Sequence, residues 1–226
     1  MLQILYTNKP SLKSFDVSSS YSSHFVVQDI HRTNQSKKLD LTRTIKLCEG
    51  QSAFISEPSS NLSCIKLSFS SGIVRIYESL GGKLEEITLG FCGNNNIQCF
   101  RIPRHTSLLL EGMTNCLLSI SYIEDCDVAE DQMMQWLLNL HIIRHPVGAD
   151  SRLHALFCLL IRHFGVPYHD FYILPFSMGH SLIAELIGST RSTVTRQLSR
   201  LRKSNDLISG ELEKNYILSK TFIEGS

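Results

Sequence analysis

Between residues 41 and 124 the apolar side chains come in short runs broken by polar ones, at 45–47, 63–69, 73–77, 85–89 and 116–122, which is the pattern of half-buried strands. Gly72, Gly81-Gly82, Gly90 and the run Gly93-Asn-Asn-Asn96 separate them at hairpin spacing. The segment is therefore expected to close into a β-roll, a sandwich or small barrel of cupin-like type. From about residue 125 the period lengthens to that of a helix, with Met133, Trp136, Leu137, Leu140 and Ile143 on one stripe and Pro146 and Gly148 to end it. Two readings of this stripe stay open: it caps the β-roll, or it is a seam between two copies of the chain. Residues 1–40, rich in Ser, Asn and Thr, show neither period and read as a partly mobile arm.

Beyond Gly148 the helical period continues. Asp150 is a good N-cap, Leu153, Leu156, Phe157, Leu160, Ile161 and Phe164 form a clean apolar face, and Gly165 ends the helix. An extended piece at 171–175 leads into a short helix at 181–187, then Gly188, then a helix at 191–203. Gly188 suits a left-handed turn, and Ala184 lets the two helices approach. Ile183, Leu186, Ile187, Val194, Leu198 and Leu201 supply a small core behind them. Strand-like pieces at 207–209 and 215–218, separated by Gly210 and charged residues, complete a winged helix-turn-helix. The fold class is α+β, with an arm at 1–40, a cupin-like β-roll at 41–124, a long connecting helix at 125–147 and a winged helix-turn-helix at 148–226.

Charge changes the picture only locally. Over 226 residues, 22 cations balance 21 acids, which excludes a uniformly basic nucleic-acid coat. The sixteen residues 188–203, however, carry five cations and no acid. Such a helix points to a nucleic-acid backbone. Arg pairs well with guanine O6 and N7, so Arg191 and Arg196, exposed at the front, are the expected base readers. Ser189, Thr190 and Thr193 near the helix start, and His180 at the start of the preceding helix, are placed for phosphate oxygens. Arg200 adds phosphate attraction.

Other chemistry finds less support. The seven cysteines are scattered and never spaced as C-x-x-C, so a disulfide scaffold and a clustered iron-sulfur site are both unexpected, and a reducing, intracellular compartment follows. No signal sequence and no apolar run of membrane-spanning length is present. His141 and His145 stand at i, i+4, a metal edge without a third ligand, and the strands show no His-x-His for a cupin-like metal enzyme. The expected activity is binding, not catalysis, with no metal.

Taken together, Ser151-Arg-Leu, Phe164-Gly-Val-Pro167 and the run from Ile183 to Arg196 resemble the CRP/FNR superfamily of transcription regulators, especially its nitrogen-regulator branch. The match is specific from residue 151 onward. It is looser at 72–78 and 85–89, which resemble the middle strands of that family's effector-binding β-roll. The resemblance implies an effector role for the β-roll, a homodimer joined through the long connecting helix as its dimerisation helix, which favours the seam reading, and base contacts from Arg191, Ser192 and Arg196. It also implies double-stranded promoter DNA and RNA polymerase as partners, activation, and a place in bacterial cytoplasm or, for a plastid-encoded chain, plastid stroma. Ser192 departs from the residues common there, and Gly179 stands where the family places a Ser or Thr cap. The cyclic-nucleotide cassette is replaced by 90–96 followed by 97–105, which speaks against cAMP. The branch's 2-oxoglutarate remains a candidate effector, with Arg101, Arg104 and His105 as its candidate partners; exposed loop charges are the plainer reading of these three. A β-roll that holds no ligand, with control by abundance or a protein partner, is the alternative.

Overall fold

The computed structural model describes residues 6–8, 42–55, 64–80, 85–93, 97–101, 108–123, 132–208 and 214–225. The chain divides into two compact units, Met1–Gln132 and Met133–Ser226. Most of the arm, Gly81-Gly82, the three asparagines at 94–96, Arg104, His105, Cys126 and Gly210 lie outside the described residues. Among the described residues, no helix is long and apolar enough to cross a membrane.

The first unit is built from two antiparallel sheets. One has the order β1-β3-β8-β5-β6, formed by Tyr6–Asn8 (β1), Gln51–Ile55 (β3), Leu108–Gly112 (β8), Ile73–Leu80 (β5) and Glu85–Gly93 (β6). The other, β2-β9-β4-β7, uses Arg43–Leu47 (β2), Cys116–Ile123 (β9), Cys64–Ser71 (β4) and Ile97–Arg101 (β7). Pairing in the second sheet puts Ile45 opposite Leu118, Phe69 also opposite Leu118, and Leu67 opposite Ile120, so one face of the sheet carries a continuous buried aliphatic surface. Four strands escaped the period reading. One of them, β1, lies in the arm expected to have no strand, where Tyr6–Asn8 pairs with Gln51–Ala53 of β3. In β8 four of five residues are buried, Leu108, Leu110, Glu111 and Gly112, so no alternation betrays it. β3 and β7, QSAFI and IQCFR, are five residues each and mix polar with apolar side chains, too short for a period to show.

Gly90, expected to separate strands, instead lies inside β6. The register shifts there, with Ile76 opposite Gly90 but Tyr77 opposite Thr88, leaving Leu89 as the extra residue of a bulge. Gly72 does mark a turn: its φ is +87, and a Cβ would meet the Asn115 carbonyl oxygen at 2.5 Å.

Strand β5 is buried on both faces, and one face is polar. Arg75, 2% exposed, donates from Nη1 to Glu86 at 2.8 Å and Glu111 at 2.9 Å, donates from Nε to Thr88 at 2.8 Å, and lies 4.4 Å from the Tyr77 ring centroid. Tyr77 in turn donates to Ser52. A buried cation is tolerated only with this degree of pairing.

The helices Gln132–Ile143 (α1), all but its first residue in the second unit, and Ala149–Phe164 (α2) follow. The N-cap of α2 is Gly148 without a side-chain cap bond; Asp150, expected as the cap, sits in the first turn, where its charge still favours the helix dipole. Val166–Tyr168 (β10) and Phe171–Leu174 (β11) follow, then His180–Leu186 (α3) and Arg191–Lys203 (α4). Leu207–Ile208 (β12) and Tyr216–Ser219 (β13) join β10 and β11 in one sheet, β10-β11-β13-β12, and a short helix, Lys220–Glu224 (α5), closes the chain's described part. Phe157 lies edge-on to Tyr216, with ring centroids 5.4 Å apart, so α2 and the wing strand share one core.

Candidate nucleic-acid interface

Helix α4 is amphipathic in the sense its sequence requires. Val194 and Leu198 are fully buried, and Ile183, Leu186 and Ile187 of the α3 segment are buried with them. Leu201, expected in that core, is only half-buried near the end of α4, where packing thins. The opposite face presents Arg191, Ser192, Thr195, Arg196 and Arg200, all exposed.

The turn is held from three sides. Gly188 has φ +58, and the Ser189 amide donates to the Ala184 carbonyl at 2.8 Å, closing the α3 terminus around it. Arg152 of α2 donates from Nη1 to the Gly188 carbonyl at 3.0 Å. Arg144, just past α1, donates from Nε to the Leu186 carbonyl at 3.1 Å and from Nη2 to the Glu185 carbonyl at 2.8 Å. Two guanidinium groups thus meet the negative end of α3 and the carbonyls of its turn. Sequence reading missed both residues, because each acts on a partner more than thirty residues away.

At the start of α4, Thr190 is the N-cap: its hydroxyl accepts from the Thr193 amide at 3.2 Å and donates to the Thr193 hydroxyl at 2.9 Å. Ser192 Oγ lies 3.0 Å from the same oxygen. The Thr190 hydroxyl proton is therefore spent on the cap, whereas Thr193 can still donate outward. At the other end, Arg200 is exposed while Arg202 is half-buried, with its Nε enclosed and lacking a hydrogen-bond partner. Gly179, the N-cap of α3, makes no side-chain cap bond.

His180 and Thr195 tie α3 to α4. Thr195 gives its single hydroxyl proton to the Arg191 carbonyl at 2.9 Å, so its oxygen accepts from His180 Nδ1 at 2.8 Å. The Nε2 of His180 is left for another partner and, in the neutral ring, carries no proton. Burial, then the charges of Arg202 and Arg191, hold this histidine below the usual value of 6.5.

The five stripe residues of α1 do not share one environment. Met133, Trp136, Leu140 and Ile143 are buried within the chain, Trp136 stacking on Phe164 at 6.0 Å between ring centroids and lying 4.7 Å from His163. Both of these rings belong to the second unit, so Trp136 packs against the C-terminal core. Leu137 turns outward with Met134, Leu138 and Ile142, all exposed.

Parts of the chain are similar to known proteins. Residues 134–218 match the Crp-like helix-turn-helix domain. A stretch of 55 residues is 49% identical to the global nitrogen regulator of Synechocystis sp., and 54 residues are 48% identical to that of Synechococcus elongatus. The matched stretch spans 24% of this chain and 24% of each of these relatives, so the likeness covers about a quarter of their length. Among solved structures, a CRP-family transcriptional regulator from Thermus thermophilus superposes with a TM-score of 0.58 at 16% identity, covering 80% of this chain and 97% of the other. FixK2 from Bradyrhizobium japonicum superposes at 0.57 and 15% identity, covering 79% and 92%. The chain therefore has the CRP/FNR fold, an antiparallel β domain followed by helices and a C-terminal helix-turn-helix.

Proposed function

We propose that this protein is a sequence-specific DNA-binding transcription regulator, a binder and not an enzyme, that meets a palindromic promoter site as a homodimer. The observation that carries this reading is the outward face of α4, where Arg191, Ser192, Thr195, Arg196 and Arg200 stand exposed with no acid among them, backed by buried Val194 and Leu198. Arg191 and Arg196 read base edges, with Ser192 between them. Phosphates are met by Ser189, Thr193, Arg200 and the His180 ring, while Thr190 acts through the helix start it caps. The global nitrogen regulators that share this segment support a role in nitrogen control, and activation through RNA polymerase belongs to the same proposal.

The dimer seam in this reading is the outward row of α1, Met134, Leu137, Leu138 and Ile142, because Met133, Trp136, Leu140 and Ile143 are already committed to the chain's own interior. Leu138→Asp is expected to shift the protein to monomer in sedimentation velocity; an unchanged dimer would remove this seam.

A second reading concerns control. The stretch from Gly90 to His105 carries neither the Gly-Glu nor the Arg-Ser pair of a cyclic-nucleotide cassette. This favours 2-oxoglutarate or no metabolite at all over cAMP. The deciding experiment is selection of bound duplexes from a random pool by the full-length protein, with and without 2-oxoglutarate and cAMP. Enrichment of a two-fold symmetric site is expected, and recovery of random sequence only would sink the proposal. Enrichment indifferent to both metabolites supports the ligand-free β-roll.

A further inference from the structure

The most unusual side-chain pair outside the α4 face is at the exit of α1. His141 lies in the last turn of α1 and His145 just beyond it, where amides of Arg144 and His145 bond back three residues to His141 and Ile142 in a tightened final turn. Both rings are exposed, with centroids 4.8 Å apart and edge to face. Their Nε2 atoms are 3.1 Å apart. As neutral rings, one Nε2 must donate and the other accept.

We propose that His141 and His145 form a binding site for a late first-row divalent cation, of which Zn2+, Cu2+ and Ni2+ are the imidazole-preferring members. With bonds of about 2.05 Å from each Nε2, a separation of 3.1 Å corresponds to an angle of about 100° at the ion, between the square-planar and tetrahedral values. The ion takes the position between the rings, with the Nε2 proton of the donor ring moved to its own Nδ1, and acid releases the ion because the ligating nitrogens must be unprotonated. Among the described residues no group of three His, Cys, Asp or Glu is gathered for a metal, so the other positions are filled by water or by the same pair from a second copy of the chain.

The position gives the site a consequence. Arg144 lies between the two histidines in sequence and carries the bonds to the Leu186 and Glu185 carbonyls at the end of α3. An ion bridging residues 141 and 145 pins the backbone from which that clamp extends. Metal occupancy therefore steadies the turn at Gly188 through Arg144.

The test is calorimetric titration of the full-length, reduced protein with ZnCl2, alongside His141→Asn, His145→Asn and the double variant, each checked by urea midpoint in EDTA. Saturable binding is expected at one ion per chain, or one per two chains if a second copy completes the site. Each single substitution should weaken it by more than the tenfold or so that losing even an outer partner of a metal site costs. Zinc binding that persists undiminished in the double variant belongs elsewhere, the exposed Cys48 being one source, and overturns the proposal, as does an absence of saturable binding in the parent. Hydrogen exchange tests the link to the turn: zinc should slow the Ile187 and Gly188 amides in the parent and not in the double variant. Loss of binding without that difference retains the site and removes the connection to Arg144.

Discussion

His180 Nδ1 donates to Thr195 Oγ1 at 2.8 Å, and through this one bond the first residue of α3 is locked to the middle of α4. Because Thr195 has already given its proton to the Arg191 carbonyl, the histidine tautomer is set, and only a second proton can make Nε2 a donor to phosphate.

That assignment makes DNA affinity dependent on pH. Burial, Arg202 and Arg191 depress the His180 value in the free protein, and a phosphate beside Nε2 would raise it, so binding takes up a proton. Affinity should increase as pH falls toward the lowered value of free His180, more than in a His180→Gln variant. Fluorescence anisotropy across pH would check this, with parallel pH curves for parent and variant contradicting the phosphate contact.

Stability should move the other way. His163, like His180, is depressed, by burial and then by Arg162. The unfolded chain binds these protons more readily than the folded one, so their contribution is intact above the unfolded value near 6.5 and is lost as pH falls from there toward the lowered folded values. Urea midpoints of the C-terminal unit should therefore decline through this window, and His163→Phe should flatten the decline.

Arg196→Ala should cost discrimination as well as affinity, about 1–3 kcal/mol against the wrong base at one position of each half-site. Competition between selected and scrambled duplexes measures it. Equal loss on both would reassign Arg196 to the phosphate backbone.

Arg200→Ala should weaken specific and random DNA alike and reduce the slope of log affinity against log salt by about one per subunit. A salt titration decides; an unchanged slope would leave Arg200 a solvated residue of the helix face.

Arg75→Ala should destabilise the N-terminal unit by about 3 kcal/mol, because Glu86 and Glu111 would be left facing each other without their shared cation. Arg75→Met with Glu111→Gln should recover part of that loss, and denaturation of the single and double variants would compare them.

What the chain announces by itself is whatever depends on neighbours a few residues apart. The turn at Gly188, the amphipathic run from Arg191 to Lys203 and the alternation in β4 and β9 are all local patterns, so they could be read along the line of residues. Tertiary structure alone decided the rest. It chose which side of α1 is buried, since a stripe rich in Met and Leu has apolar candidates on both sides, and Trp136 lies inward against Phe164 and His163. It also chose the partners of the isolated cations: Arg144 meets Leu186 across 42 positions and Arg75 meets Glu111 across 36. A guanidinium carries no local sign of which carbonyl or carboxylate will reach it, because that is settled when distant segments pack.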